Sequence, residues 1–230
     1  MNPYLATLIT FIAVLAFQGL MGFLTQQGLV ESTLSRKIAR IGAGPIYVAC
    51  WMLYPDGPIG PWLASLVPLV GTLIYALIGL GIIKDDVAVK ALTRTVDHRE
   101  MLLGPLFSGI MFMVITVIYW RDSLVGLPAL MMLCGAWIGE VVGPYIPSPQ
   151  WPRENSIARS VIMVASGWLL TMLIFAFYIW IGDFSGPVSR FFWPISAIAL
   201  AATLVKSLPL GDFENFAVPL ICLLMGHWVF

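Results

Sequence analysis

The sequence predicts an all-α, polytopic integral membrane protein with about eight transmembrane helices. Two compositional facts and one pattern carry that prediction. Of the 230 residues, 60% are hydrophobic and only 10% charged, where a soluble domain carries roughly 25% charged residues. Mean hydropathy is +0.92, which removes the soluble, disordered and fibrous classes. The apolar residues form continuous runs rather than alternating, which argues for helices over a transmembrane β-barrel. A formal net charge of zero leaves no electrostatic footprint for nucleic acid.

In chain order the uncharged runs are Leu5 to Leu24, Ile41 to Tyr54, Trp62 to Ile83, Met101 to Trp120, Leu124 to Gly139, Val161 to Ile181, Phe191 to Val205 and Phe216 to Phe230. A bilayer core takes about 20 apolar residues per helix, so the second, seventh and eighth runs are short. The first run has no Lys or Arg before it and is too long for a signal-peptide core, so it reads as an uncleaved first helix. Neither a repeat nor a composition shift divides the chain, and residues 1–230 read as a single transmembrane domain.

The loops set the expected orientation. Odd-numbered loops hold Arg36, Lys37, Arg40, Lys84, Lys90, Arg94, Arg99, Arg153, Arg159 and Lys206, ten of the twelve basic residues, whereas even-numbered loops hold only Arg121 and Arg190. The positive-inside rule then places odd loops in the cytoplasm and both termini on the non-cytoplasmic side. Cys50, Cys134 and Cys222 lie inside or at the edges of apolar runs and read as small hydrophobes. Gly42–Ala43–Gly44–Pro45 is too short for a phosphate cradle and reads as close helix packing or a kink. His98 reads as a solvated loop residue and His227 as a packing or interfacial one.

Charge is concentrated as well as scarce. Residues 84–100, KDDVAVKALTRTVDHRE, carry eight charges of both signs in 17 residues, a pattern that suggests a helix lying at the surface. The same expected membrane face receives SRKIAR at 35–40, Glu140 with the loop after it, and KSLPLGDFEN at 206–215. Arg and Lys there would neutralise a phosphate, and carboxylates would hold a divalent cation.

Several of these segments carry a family likeness. Val89–Lys90–Ala91–Leu92–Thr93–Arg94, then Asp97, Arg99–Glu100–Met101–Leu102 and Gly104–Pro105–Leu106, resemble the central signature of phytol kinase and the related CTP-dependent polyprenol (dolichol) kinases. So do Ser35–Arg36–Lys37, Tyr119–Trp120–Arg121–Asp122–Ser123 with Gly126, and Ser207–Leu208–Pro209 with Asn215 and Val218–Pro219–Leu220. The resemblance implies phosphate transfer from CTP to a long-chain prenyl alcohol at the cytoplasmic interface, with Mg²⁺ as cofactor. It assigns catalysis to Glu140, Lys90 and Arg94, and nucleotide binding to Arg36, Lys37, Arg99, Arg153, Ser156, Arg159 and Asn215. Glu140 with Asp85 and Asp86 would hold the metal.

The sequence also departs from the family pattern at charged positions. The family's acidic motif at the end of the fifth span, Gly-Asp-x-x-Ala-Asp-like, stands here as Cys134–Gly135–Ala136–Trp137–Ile138–Gly139–Glu140, with only Glu140 as an acid. The family's lysine is Asn155, its histidine is Arg40, and its glutamate before Ser-Leu-Pro is Lys206. These changes keep open a catalytically degenerate kinase-like scaffold or binding subunit. A phosphatidate cytidylyltransferase-like enzyme is a third reading, against which the matched central loop is the alcohol-kinase version. The expected partners are the lipid bilayer, nucleotide and prenyl alcohol, with an oligomer or larger membrane complex open. A bacterial inner membrane and a thylakoid-like membrane both fit.

Overall fold

The structure is a computed structural model that describes residues 1–93, 96–121, 124–150, 156–208 and 210–230. Among these residues the chain is all-helical, with nine α-helices joined by short 3₁₀ turns. It divides into two compact units, Met1–Ile118 and Tyr119–Phe230.

The first unit contains α1 (Pro3–Gln26), α2 (Ser32–Ala49), α3 (Gly60–Gly79), the short α4 (Asp86–Leu92) and α5 (Gly104–Ile118). Helix α1 starts where Asn2 accepts from the Tyr4 amide at 2.9 Å and Pro3 presets the first turn. Its inner face buries Ala6, Thr10, Val14 and Met21, spaced by four, four and seven residues, one or two helical turns. Thr10 and Thr25 return their hydroxyls to the carbonyls of Ala6 and Met21, so no polar atom of theirs needs water. Deeper in the unit, Tyr47 of α2 meets Thr116 of α5 at 2.8 Å and packs edge-on against Trp51. Gly42 lies so close to the Phe17 ring that a Cβ there would sit 2.3 Å from it, so this Gly-rich stretch is a packing surface between α2 and α1.

The second unit is built around α6 (Gly126–Val142), with α7 (Ile157–Trp180), α8 (Phe192–Lys206) and α9 (Glu214–Val229) packed against it. Every residue from Gly126 to Trp137 is buried. A helix apolar on all sides must be enclosed by other helices, and this one is. Its closest neighbour is α7, and small residues set that approach. Gly135, Gly139 and Gly143 recur every four residues and face Gly167, Met163 and Arg159, which recur every four residues on α7. A Cβ at Gly135 would fall 2.5 Å from the Gly167 backbone, and Ser166 donates to the Gly135 carbonyl at 3.2 Å. Without a hydrophobic drive between helices in lipid, such backbone proximity supplies the packing energy.

Among the described residues six helical segments are long and apolar enough to cross a membrane: Pro3–Gln26, Gly60–Gly79, His98–Ile118, Gly126–Tyr145, Ile157–Trp180 and Val188–Lys206. The other two expected spans differ for identifiable reasons. Helix α2 begins at Ser32 rather than near Ile41, because Arg36, Lys37 and Arg40 continue the helix instead of interrupting it. Helix α9 is apolar but only 16 residues long. Outward-facing Leu8, Ile12, Leu15 and Phe23 on α1, and Leu169, Leu173, Leu200 and Leu224 in the second unit, are exposed. A surface this apolar is consistent with a lipid environment. Trp180, Trp193 and Trp228, all strongly exposed, sit at one end of the second unit, as an interfacial aromatic belt would.

Gly135→Ala should cost about 1–3 kcal/mol by forcing α6 and α7 apart, whereas Gly19→Ala on α1, with nothing within 4 Å of its added methyl, should not destabilise. Thermal unfolding of the detergent-solubilised protein checks this; equal loss at both positions would contradict the packing described.

Candidate functional site

In the second unit an ion triad stands at the end opposite the exposed tryptophans, while Arg121 and Asp183 pair at the tryptophan end. Glu140 lies in the last turn of α6, Lys206 is the last residue of α8, and Glu214 is the first residue of α9. Lys206 Nζ is 2.5 Å from Glu140 Oε1 and 2.5 Å from Glu214 Oε1. The Lys206 side chain is 11% exposed and that of Glu214 6%, whereas Glu140 remains 43% exposed. The ammonium is therefore held inside, between one enclosed carboxylate and one that reaches the surface.

Helix electrostatics explain why these residue types stand where they do. A cation at the C-terminus of α8 and an anion at the N-terminus of α9 each complement the local macrodipole. Glu140 has the opposite problem, since a carboxylate near the C-terminus of α6 faces the negative end of the dipole. Lys206 offsets that repulsion. One turn before Glu140, Trp137 is buried and its indole N–H donates to Asn215 Oδ1 at 3.3 Å. This bond fixes the start of α9 against α6.

Beside the ion triad, Ala136, Gly139, Glu140, Arg159, Ser160, Met163 and Lys206 line a small pocket. The glycines of α6 admit it: a Cβ at Gly139 would lie 2.8 Å from the Arg159 carbonyl, and the Arg159 stem lies against Gly143. Ser156 is the N-cap of α7, its hydroxyl accepting from the Arg159 amide at 3.3 Å. Its placement has a structural basis in addition to any contact with nucleotide.

In the first unit a second set of charges meets around α4. Arg36 Nη2 pairs with Asp85 Oδ2 at 2.9 Å, while Asp85 Oδ1 accepts from the Ala88 amide at 2.9 Å and caps α4. Asp86 and Lys90 are exposed on α4, and Lys37 is half-buried on α2. Arg99 is exposed in the 3₁₀ turn that follows, whose start is fixed by Asp97 accepting from the Arg99 amide at 2.9 Å. The expected surface helix in 84–100 is thus the seven-residue α4, anchored by Ala88 and Val89 packing on Ile78 and Met101. Arg40 donates to Ser108 Oγ at 2.8 Å, which ties α2 to α5. Val96 holds φ at +62°, a conformation that β-branched residues avoid.

Of the expected site residues, the structure brings Arg36 to Asp85 within the first unit, and Glu140 and Arg159 to one pocket in the second. Arg94 and Arg153, with the family-like Asp122 and Asn155, lie outside the described residues. Among the described residues no group of three or more His, Cys, Asp or Glu side chains is arranged to hold a metal ion. The donor chemistry agrees. Glu140 and Glu214 converge on an ammonium, and Asp85 is divided between a guanidinium and a backbone amide. These carboxylates do not fit a protein-held Mg²⁺.

The sequence marks Lys206 and Glu214 as members of one charged segment and Lys206 as a departure from the family pattern, but it does not pair either with Glu140. The signal was present: Lys206 is a base where the family likeness leads one to expect an acid, and it directly follows one apolar run while Glu214 stands two residues before the next. His227, read as a packing or interfacial residue, is exposed beside Trp228, and Tyr119 OH lies 2.9 Å from its Nε2.

No family model and no solved structure matches the chain. Curated relatives do. The chain is 31% identical over 212 residues to a probable chloroplastic phytol kinase of Triticum aestivum, covering 90% of this chain and 71% of that protein. It is 32% identical over 222 residues to probable phytol kinase 1, chloroplastic, of Oryza sativa subsp. japonica, covering 94% and 69%. To the chloroplastic farnesol kinase of Arabidopsis thaliana it is 30% identical over 230 residues, covering 96% and 74%. Kinship at this level along nearly the whole chain means that the protein belongs to the phytol kinase family.

Proposed function

We propose that the protein is a membrane-embedded prenyl-alcohol kinase that moves the γ-phosphate of CTP to a long-chain isoprenoid alcohol at the cytoplasmic face. The observation that carries this reading is the alignment of 90% or more of the chain with relatives named phytol and farnesol kinases. The structure supports it in two ways. Apolar helical surfaces suit a substrate dissolved in the bilayer, and charge is gathered at helix ends and in the loops beside them, where a water-soluble nucleotide has access. All eight apolar runs are assigned to the membrane, with both termini on the non-cytoplasmic side.

In the reaction the alcohol oxygen forms a bond to the γ-phosphorus. The bond from phosphorus to the bridging oxygen breaks, CDP leaves with that electron pair, and the hydroxyl proton is released. Phosphoryl transfer asks a protein mainly for positioning and neutralisation of charge. In the first unit we assign Lys90 and Arg99 to donor phosphate, with Arg36 and Lys37 anchoring nucleotide. In the second unit we assign catalysis to Glu140 and nucleotide binding to Arg159, which line one pocket.

One observation favours a second reading, a kinase-like binding subunit without catalysis. Glu140, the acid left in the altered motif, is already engaged by Lys206, and Trp137 of the same motif is bonded to Asn215.

Purified protein incubated with γ-labelled CTP, Mg²⁺ and phytol, geranylgeraniol, farnesol or dolichol should label at least one alcohol. No transfer to any alcohol, together with no CTP binding, would leave the second reading standing. Given transfer, Lys90→Ala should raise KM for CTP about tenfold, the loss of one charge-assisted contact of about 1.4 kcal/mol. Glu140→Gln should abolish transfer, whereas Asp56→Asn, in the exposed turn after Tyr54, should leave it unchanged.

A further inference from the structure

The two glutamates of the second unit are arranged as a divalent cation's ligands would begin to be, yet a side chain already stands between them. Glu140 and Glu214 come from different helices, and their Oε1 atoms approach one point from two sides. That point is Lys206 Nζ, 2.5 Å from each oxygen. Glu214 is almost fully enclosed, and an enclosed carboxylate requires a compensating cation close by. The ammonium arrives from the C-terminus of α8 on an aliphatic stem that is itself nearly buried.

We propose that Lys206 is the resident cation of this site: its ammonium occupies the position between Glu140 and Glu214 that a divalent metal would otherwise take. The protein consequently holds no metal of its own there. A cation carried in on nucleotide phosphates is a separate matter and is unaffected. The arrangement follows from charge and geometry and does not depend on the kinase reading.

The assignment predicts a conversion. Lys206→Met keeps the length and apolar character of the stem and removes the charge. With the ammonium gone, the two carboxylates keep a cation-sized opening between them, and a hard divalent ion accepts carboxylate oxygens from two residues plus waters. The full chain in lipid nanodiscs, without nucleotide, is titrated with Mn²⁺ and followed by electron paramagnetic resonance. Wild type should take up no Mn²⁺ that depends on Glu140, whereas Lys206→Met should gain one site per chain that disappears in Lys206→Met with Glu214→Gln. Thermal unfolding supplies the second measurement. Mn²⁺ at about 100 times its Kd should raise the melting temperature of Lys206→Met by about 5–10 °C and leave wild type unmoved.

Recovery of Lys206→Met only when Mn²⁺ or Mg²⁺ is present would also support the proposal. Three outcomes would overturn it: Mn²⁺ bound by wild type and lost in Glu140→Gln; a folded Lys206→Met that gains no Mn²⁺; or failure to recover Lys206→Met with and without divalent cation while the variant that also carries Glu214→Gln is recovered. The readout is metal binding, so an inactive protein and a wrong assignment of Lys206 are distinguished.

Discussion

An ammonium enclosed between two carboxylates organises the second unit. Glu140, Lys206 and Glu214 belong to three different helices, and each is at a helix end. Enclosing Glu214 without Lys206 would leave a buried charge with its nearest cation removed, a loss of several kcal/mol. Keeping the ammonium there requires α6, α8 and α9 to finish or begin in register. The remaining packing is consistent with that demand. Gly135, Gly139 and Gly143 let α7 approach α6 closely enough for Arg159 to share a pocket with Glu140, and Trp137 and Asn215 close the seam between α6 and α9.

The same economy of charge shapes the first unit, in a less enclosed setting. Asp85 starts α4 and holds Arg36, so a seven-residue helix with little intrinsic stability is fixed at both its cap and its flank. Lys90 and Arg99 are left exposed beside it. Exposed cations on and beside a short anchored helix suit transient contact with phosphate, whereas the enclosed ammonium of Lys206 suits a permanent structural role. The two clusters differ in burial, and that difference is what assigns them different work.

Much of the fold is readable in the sequence because the apolar runs are long and continuous; six of them become helical segments able to span a bilayer, with ends that differ from those expected by up to six residues. The start of α2 is not readable in that way. Hydropathy stops at the first charge, whereas helix propensity does not, and Arg36, Lys37 and Arg40 are good helix formers on an amphipathic segment. The altered acidic motif is also plain in the sequence, since neither Ala136 nor Trp137 supplies a carboxylate. What the sequence conceals is pairing. That Lys206 meets Glu140 across 66 residues depends on how α6, α8 and α9 pack, and no local pattern records it. The substituted lysine at 206 and the acid at 140 are each odd alone and are explained only together.

The central claim is that Lys206, not a metal, is the cation between Glu140 and Glu214. The most direct measurement is an experimental density map at side-chain resolution of the protein in nanodiscs with Mn²⁺ added. The account predicts the Lys206 ammonium within about 3 Å of both carboxylates and no metal density between them. Mn²⁺ bridging the two glutamates, with Lys206 turned away, would contradict it.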